Sequence, residues 1–95
     1  MTAKASFVPC KILPGFFDSE VYVVVLDSSA YVSLEHVKLD GNEKALQEGK
    51  EVDGFVLAYI VAEDPQKGKV LVEVPGEPVI GGLRAWVPQA QLRRV

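Results

Sequence analysis

The sequence is poor in the residues that build cofactor and metal sites. It has 95 residues with one cysteine, one histidine, one tryptophan and one methionine. A single cysteine excludes an intrachain disulfide and a thiolate metal cluster. A single histidine excludes a multi-histidine metal site within one chain, so neither a metal nor another cofactor is expected. Basic residues are in deficit: 10 Lys and Arg stand against 13 Asp and Glu, a net charge of −3. Duplex-binding domains usually carry a basic excess, because phosphate neutralisation supplies much of their affinity. No apolar run approaches the 18 or so residues of a membrane-spanning helix. The segment Met1–Lys11 has a short apolar stretch cut by Pro9 and Lys11, unlike an export signal, so a cytoplasmic protein with reduced Cys10 is expected.

What is abundant is valine. There are sixteen valines and three isoleucines. Their branched side chains are stiff at the first torsion and suit a pleated surface. Eight glycines and six prolines divide these runs at short intervals. The combination predicts an all-β fold, a small barrel of five to seven short strands. Strands are expected over Ser6–Leu13, Glu20–Leu26, Ala30–Ser33, Val52–Glu63, Lys69–Val74 and Leu83–Val87. The run Val23-Val24-Val25 reads as buried on both faces. Val70, Val72 and Val74 share one face of their strand. Pro88–Leu92 reads as one tight helical turn, and Arg93–Val95 as a last short strand. Asn42–Glu48 has a capping residue, helix formers and a following Gly49, and reads equally as a short helix or a charged loop.

The two halves of the chain echo one another. Ala30-Tyr31-Val32 followed by Val37-Lys38 matches Ala85-Trp86-Val87 followed by Leu92-Arg93. Phe7-Val8 and Ile12-Leu13 parallel Phe55-Val56 and Ile60-Val61. Val21, Val23 and Val25 parallel Val70, Val72 and Val74. One domain is expected, with half-repeats at 5–39 and 53–95 joined by 40–52.

Val70–Val95, and above all Ala85-Trp86-Val87-Pro88-Gln89-Ala90-Gln91-Leu92, resembles the end of Src-homology-3-type barrels. There a strand delivers an aromatic-aliphatic-proline step, a one-turn helix follows, and a short strand closes the barrel. The resemblance covers about a quarter of the chain. It implies a barrel and places Pro88 where it lines a groove. Ala85 stands where the family usually has glycine, and Gln91 where it has its groove tyrosine. Phe16-Phe17-Asp18 is a faint stand-in for the family's N-terminal aromatic-acidic motif. The resemblance therefore bears on the fold, not on recognition of proline-rich ligands.

Chemistry is sparse. His36 follows Glu35 in a turn, with no nucleophile placed beside it by sequence, and reads as a surface histidine. Cys10 lies between Pro9 and Lys11 inside a strand and reads as a small core residue. The glycines of Pro75–Gly82 precede a strand, whereas a phosphate-cradling loop precedes a helix. The carboxylates mostly flank turns.

Binding residues are easier to nominate. Tyr31 and Trp86 occupy matched positions and carry polar handles suited to half-exposed sites. Arg84 and Pro88 flank Trp86. Val79 and Ile80 stand as aliphatics in a loop. The expected function is a non-catalytic module recognising a protein or peptide through a surface containing Tyr31 and Trp86. Two alternatives remain: an oligomeric small-molecule-binding protein or enzyme with a cleft shared between subunits, and single-stranded nucleic-acid binding. The positive mean hydropathy of +0.16 suggests a homodimer. Acidic 40–53 and the basic C-terminal half make a dipolar molecule able to associate head to tail.

Overall fold

The computed structural model describes residues 4–41, 43–76 and 82–95. Seven strands form one antiparallel sheet curled into a small, nearly closed barrel. They are β1 (Lys4–Pro14), β2 (Glu20–Val25), β3 (Ser28–Ser33), β4 (Val37–Leu39), β5 (Val52–Asp64), β6 (Lys69–Val74) and β7 (Leu83–Pro88). The order is β3-β2-β1-β5-β6-β7, with β4 paired to β5. β3 and β7 approach each other and bring the sheet close to closure. No helix among the described residues is long and apolar enough to cross a membrane.

Period-two alternation builds the core. Val8, Cys10 and Ile12 point inward from β1, Val21, Val23 and Val25 from β2, and Val70, Val72 and Val74 from β6. Ala30, Val32, Val56, Ala58, Leu83, Ala85 and Val87 complete it. The valine run of β2 departs from the expected double burial. Val24 is half-buried and faces outward, because a single-layer wall has only one dry side.

The halves make the same pairings. Ile12 opposes Val23, and Ile60 opposes Val72. Tyr22 opposes Tyr31, and Leu71 opposes Trp86. A 3₁₀ turn follows in each half, Leu34–His36 and Gln89–Gln91. Its first amide donates to Ser19 in one half (2.8 Å) and to Gly68 in the other (2.9 Å). Each half then crosses over. Lys38 pairs with Phe55, and Arg93 bridges to Phe7. The cations follow the same rule, with Lys38 over the Phe7 ring (4.9 Å) and Arg93 over the Phe55 ring (5.8 Å). Val8 and Val56 oppose each other midway along the β1–β5 pair, on the pseudo-twofold axis these pairings define. A bulge between Ile60 and Ala62 adds one residue to the second half.

Two elements differ from expectation, and a third, left open between helix and loop, is a helix. β4 is a strand that the sequence does not announce. Arg93–Val95 is not a strand; only Arg93 bridges, its N–H donating to the Phe7 carbonyl (2.9 Å) and its carbonyl accepting from Phe7 (2.8 Å). Residues Glu43–Gln47 form a helix, α1. It ends in a Schellman arrangement: Lys50 N–H donates to the Ala45 carbonyl (2.9 Å) and Gly49 N–H to Leu46 (3.0 Å). Gly49 sits at φ 85°, which this ending requires and other residues resist. Ala45 and Leu46 pack against the barrel core and hold this short helix in place.

Candidate functional site

The pseudo-symmetry separates what the barrel needs from what it does not. Residues at matched positions in both halves maintain the wall. Among the described residues, two connecting segments differ in chemistry between the halves. The β1–β2 loop carries Phe16-Phe17-Asp18, where the β5–β6 turn has the polar Pro65-Gln66-Lys67. The excursion between β4 and β5 carries α1. A two-residue hairpin suffices to join antiparallel neighbours, and Asp40 N–H already reaches the Asp53 carbonyl (3.0 Å). The excursion is therefore not needed for connection.

Both segments face one cleft of about 880 Å³. Phe16 and Phe17 stand on its rim, 78% and 72% exposed. Leu34, Val37 and Leu39 supply apolar lining, and Leu46 reaches in from α1. Phe16 also stacks on Tyr31 (ring centroids 5.3 Å apart), and Tyr31 meets Tyr22 with the rings tilted (4.9 Å). An aromatic row thus runs from the cleft across the outer wall of β3 and β2. Such exposure costs hydration free energy unless something covers the rings.

The cleft is also acidic. Asp18, Glu20 and Glu43 line it against one cation, Lys38. The Lys38 ammonium is drawn over Phe7, which is not part of the cleft. The described residues contain two salt bridges, Lys11–Asp53 and Arg84–Glu73, and neither involves these three carboxylates.

The residues nominated from sequence are dispersed. Tyr31 joins the aromatic row. Trp86, 43% exposed, stands on the outer face of β7 opposite Leu71. Arg84 shares that face, its Nε donating to the Glu73 carboxylate (3.3 Å). Pro88 closes β7, half-buried and opposite Lys69. Tyr31 and Trp86 therefore occupy equivalent places on the two strands that approach at the seam. Val79 and Ile80 lie outside the described residues. Phe17 and the α1 wall were not nominated; adjacent exposed phenylalanines in a Pro-Gly-initiated loop were the available signal.

Cys10 is a core thiol. Burial, aided by the nearby Asp53 carboxylate, pushes its pKa up from 9.0 to about 12. A nucleophilic cysteine needs the opposite shift. Native protein at pH 8 should react with iodoacetamide roughly a thousandfold more slowly than unfolded chain, from the loss of thiolate alone. Because folding favours the protonated thiol, its stabilising contribution is complete below pH 9.0 and declines as pH rises toward 12. Equal alkylation rates in the two states would show that Cys10 is open to solvent.

These features define a small, nearly closed antiparallel β-barrel with an apolar, acidic cleft at the end that holds the β1–β2 loop and α1. No family model matches the chain, and no curated protein or solved structure matches it.

Proposed function

We propose that the protein is a non-catalytic binding module built on a Src-homology-3-like barrel. In this reading it recognises a protein or peptide segment through the cleft at Phe16 and Phe17 and the adjoining Tyr31. The observation that carries the reading is the paired exposure of two neighbouring phenylalanines on the rim of an apolar cleft. Aromatic anchors that are already positioned lose little entropy on binding and dominate recognition energetics. The acidic lining works against a nucleic-acid ligand. The raised Cys10 pKa works against a thiol enzyme.

The test is selection of binders from a random dodecapeptide display library, followed by affinity measurement on soluble peptides. Phe17→Ala should weaken binding by roughly thirtyfold, the scale of an interface hot spot. Trp86→Ala should leave it unchanged. The reverse pattern would move recognition to the β7 face with Trp86, Arg84 and Pro88. Unchanged affinity in both variants, with folding intact, would reject an aromatic recognition surface.

A further inference from the structure

Two matched positions of the two halves carry inverted charge. Strand pairing and the 3₁₀-turn hydrogen bonds align Ser19 with Gly68. That alignment places Asp18 opposite Lys67 and Glu20 opposite Lys69. The end holding the cleft carries Asp18, Glu20 and Glu43 as carboxylates without salt bridges among the described residues. The pseudo-equivalent end carries Lys67 and Lys69, together with exposed Arg93 and Arg94, against two carboxylates, exposed Glu63 and half-buried Asp64, the latter accepting from the Lys67 N–H (3.3 Å). It also presents Val95, 70% exposed. The backbone framework is alike at both ends, and the balance of charge is acidic at one and basic at the other. One end offers an apolar, acidic cleft, and the other a basic turn and segment bearing an exposed aliphatic.

We propose that the occupant of the cleft is the basic end of a second copy of this chain. This rests on the reading of the cleft as a protein-binding site and names its partner. The contact is heterologous: Phe16, Phe17 and Asp18 of one copy meet Lys67, Arg94 and Val95 of the next. Such a contact does not close on itself in a dimer, so assembly extends into a ring or a short row. A symmetric dimer built on either end alone would place like charges together, which disfavours it. Head-to-tail stacking also covers Phe16 and Phe17, which the isolated chain leaves in water.

Light scattering coupled to size exclusion tests this across a concentration series. At low salt the weight-average mass should rise with concentration, and at high salt it should fall back toward one chain. Asp18→Lys and Lys67→Glu change exposed side chains that form no ion pairs among the described residues, so both variants should fold. Each alone should lose association, by at least tenfold in apparent affinity. Mixing the two should restore it, because the unaltered cleft of the Lys67→Glu chain meets the unaltered basic end of the Asp18→Lys chain, and positions 18 and 67 of the two altered ends again carry opposite charges. Wild-type chain that stays monomeric across the series would overturn the proposal. So would single variants that assemble as wild type, or a mixture that does not recover. Peptide binding that depends on Phe17 in a monomeric chain would sink the self-association alone and leave the recognition reading standing.

Discussion

Gly54→Ala is expected to destabilise the barrel by about 3 kcal/mol, at the upper end of the range for overpacking a well-filled core. Gly54 is the point where β4 crosses β5, with Leu39 directly opposite. A Cβ there runs into the Lys38 carbonyl and lies 2.6 Å from the Ile12 Cδ1. The Lys38 carbonyl is backbone of β4, so relief requires β4 to lift and give up its pairing with Phe55. The Ile12 methyl belongs to a fully buried side chain with nowhere to turn. In the other half the crossing is accommodated differently: buried Ser6 donates its hydroxyl to the Arg93 carbonyl (3.0 Å). Urea unfolding measures the effect as a lowered midpoint at unchanged slope. Ile12→Val removes the Cδ1 and alone costs about 1 kcal/mol. Combined with Gly54→Ala, it should cost less than the sum of the two, by upward of about 0.5 kcal/mol, since one of the two collisions is gone. Strict additivity would mean that Ile12 does not pack against Gly54.

Replacing residues 42–51 by an Asn-Gly turn should leave the barrel folded and remove peptide binding. Asp40 and Asp53 are already joined by a backbone hydrogen bond, so a tight turn can close the β4–β5 hairpin there. Packing of Ala45 and Leu46 is lost, at a cost of about 2 kcal/mol for two partly buried apolar side chains. The cleft loses its α1 wall, including Glu43, Leu46 and Gln47. Affinity for a peptide selected on the intact chain should fall at least tenfold, and the β-sheet circular dichroism should persist. Full affinity in the shortened chain would remove α1 from the site. Loss of the sheet signal would make the excursion a structural necessity instead.

The wall of the barrel was legible from the residues. Alternating valines in Val70–Val74 mark the inward face, because a strand turns successive side chains to opposite sides, whereas the run Val23-Val24-Val25 reads as buried on both faces and only the folded wall turns Val24 outward. The helix over Glu43–Gln47 was only half legible. Gly49 announced its end, but five residues do not form a helix in water unless something packs on them. Ala45 and Leu46 find that support only in the folded barrel. β4 was not legible at all. Three residues, Val37-Lys38-Leu39, are too few to display a period of two, and they become a strand because β5 offers them a free edge.

The candidate site divides along the same line. Tyr31 and Trp86 were recognisable as half-exposed aromatics at matched positions, a property of side-chain chemistry and local pattern. The cleft was not, since its walls come from the β1–β2 loop, the turn after β3, β4 and α1. Local composition by itself determined an all-β chain with a valine core, little metal- or cofactor-binding chemistry and a slight acidic excess. Tertiary structure decided where the chain crosses itself, which aromatic side chains stay in water and which carboxylates gather around them. The physical reason is range. Backbone preference and side-chain alternation act within a few residues, whereas a cleft is made by contacts between segments far apart in the chain.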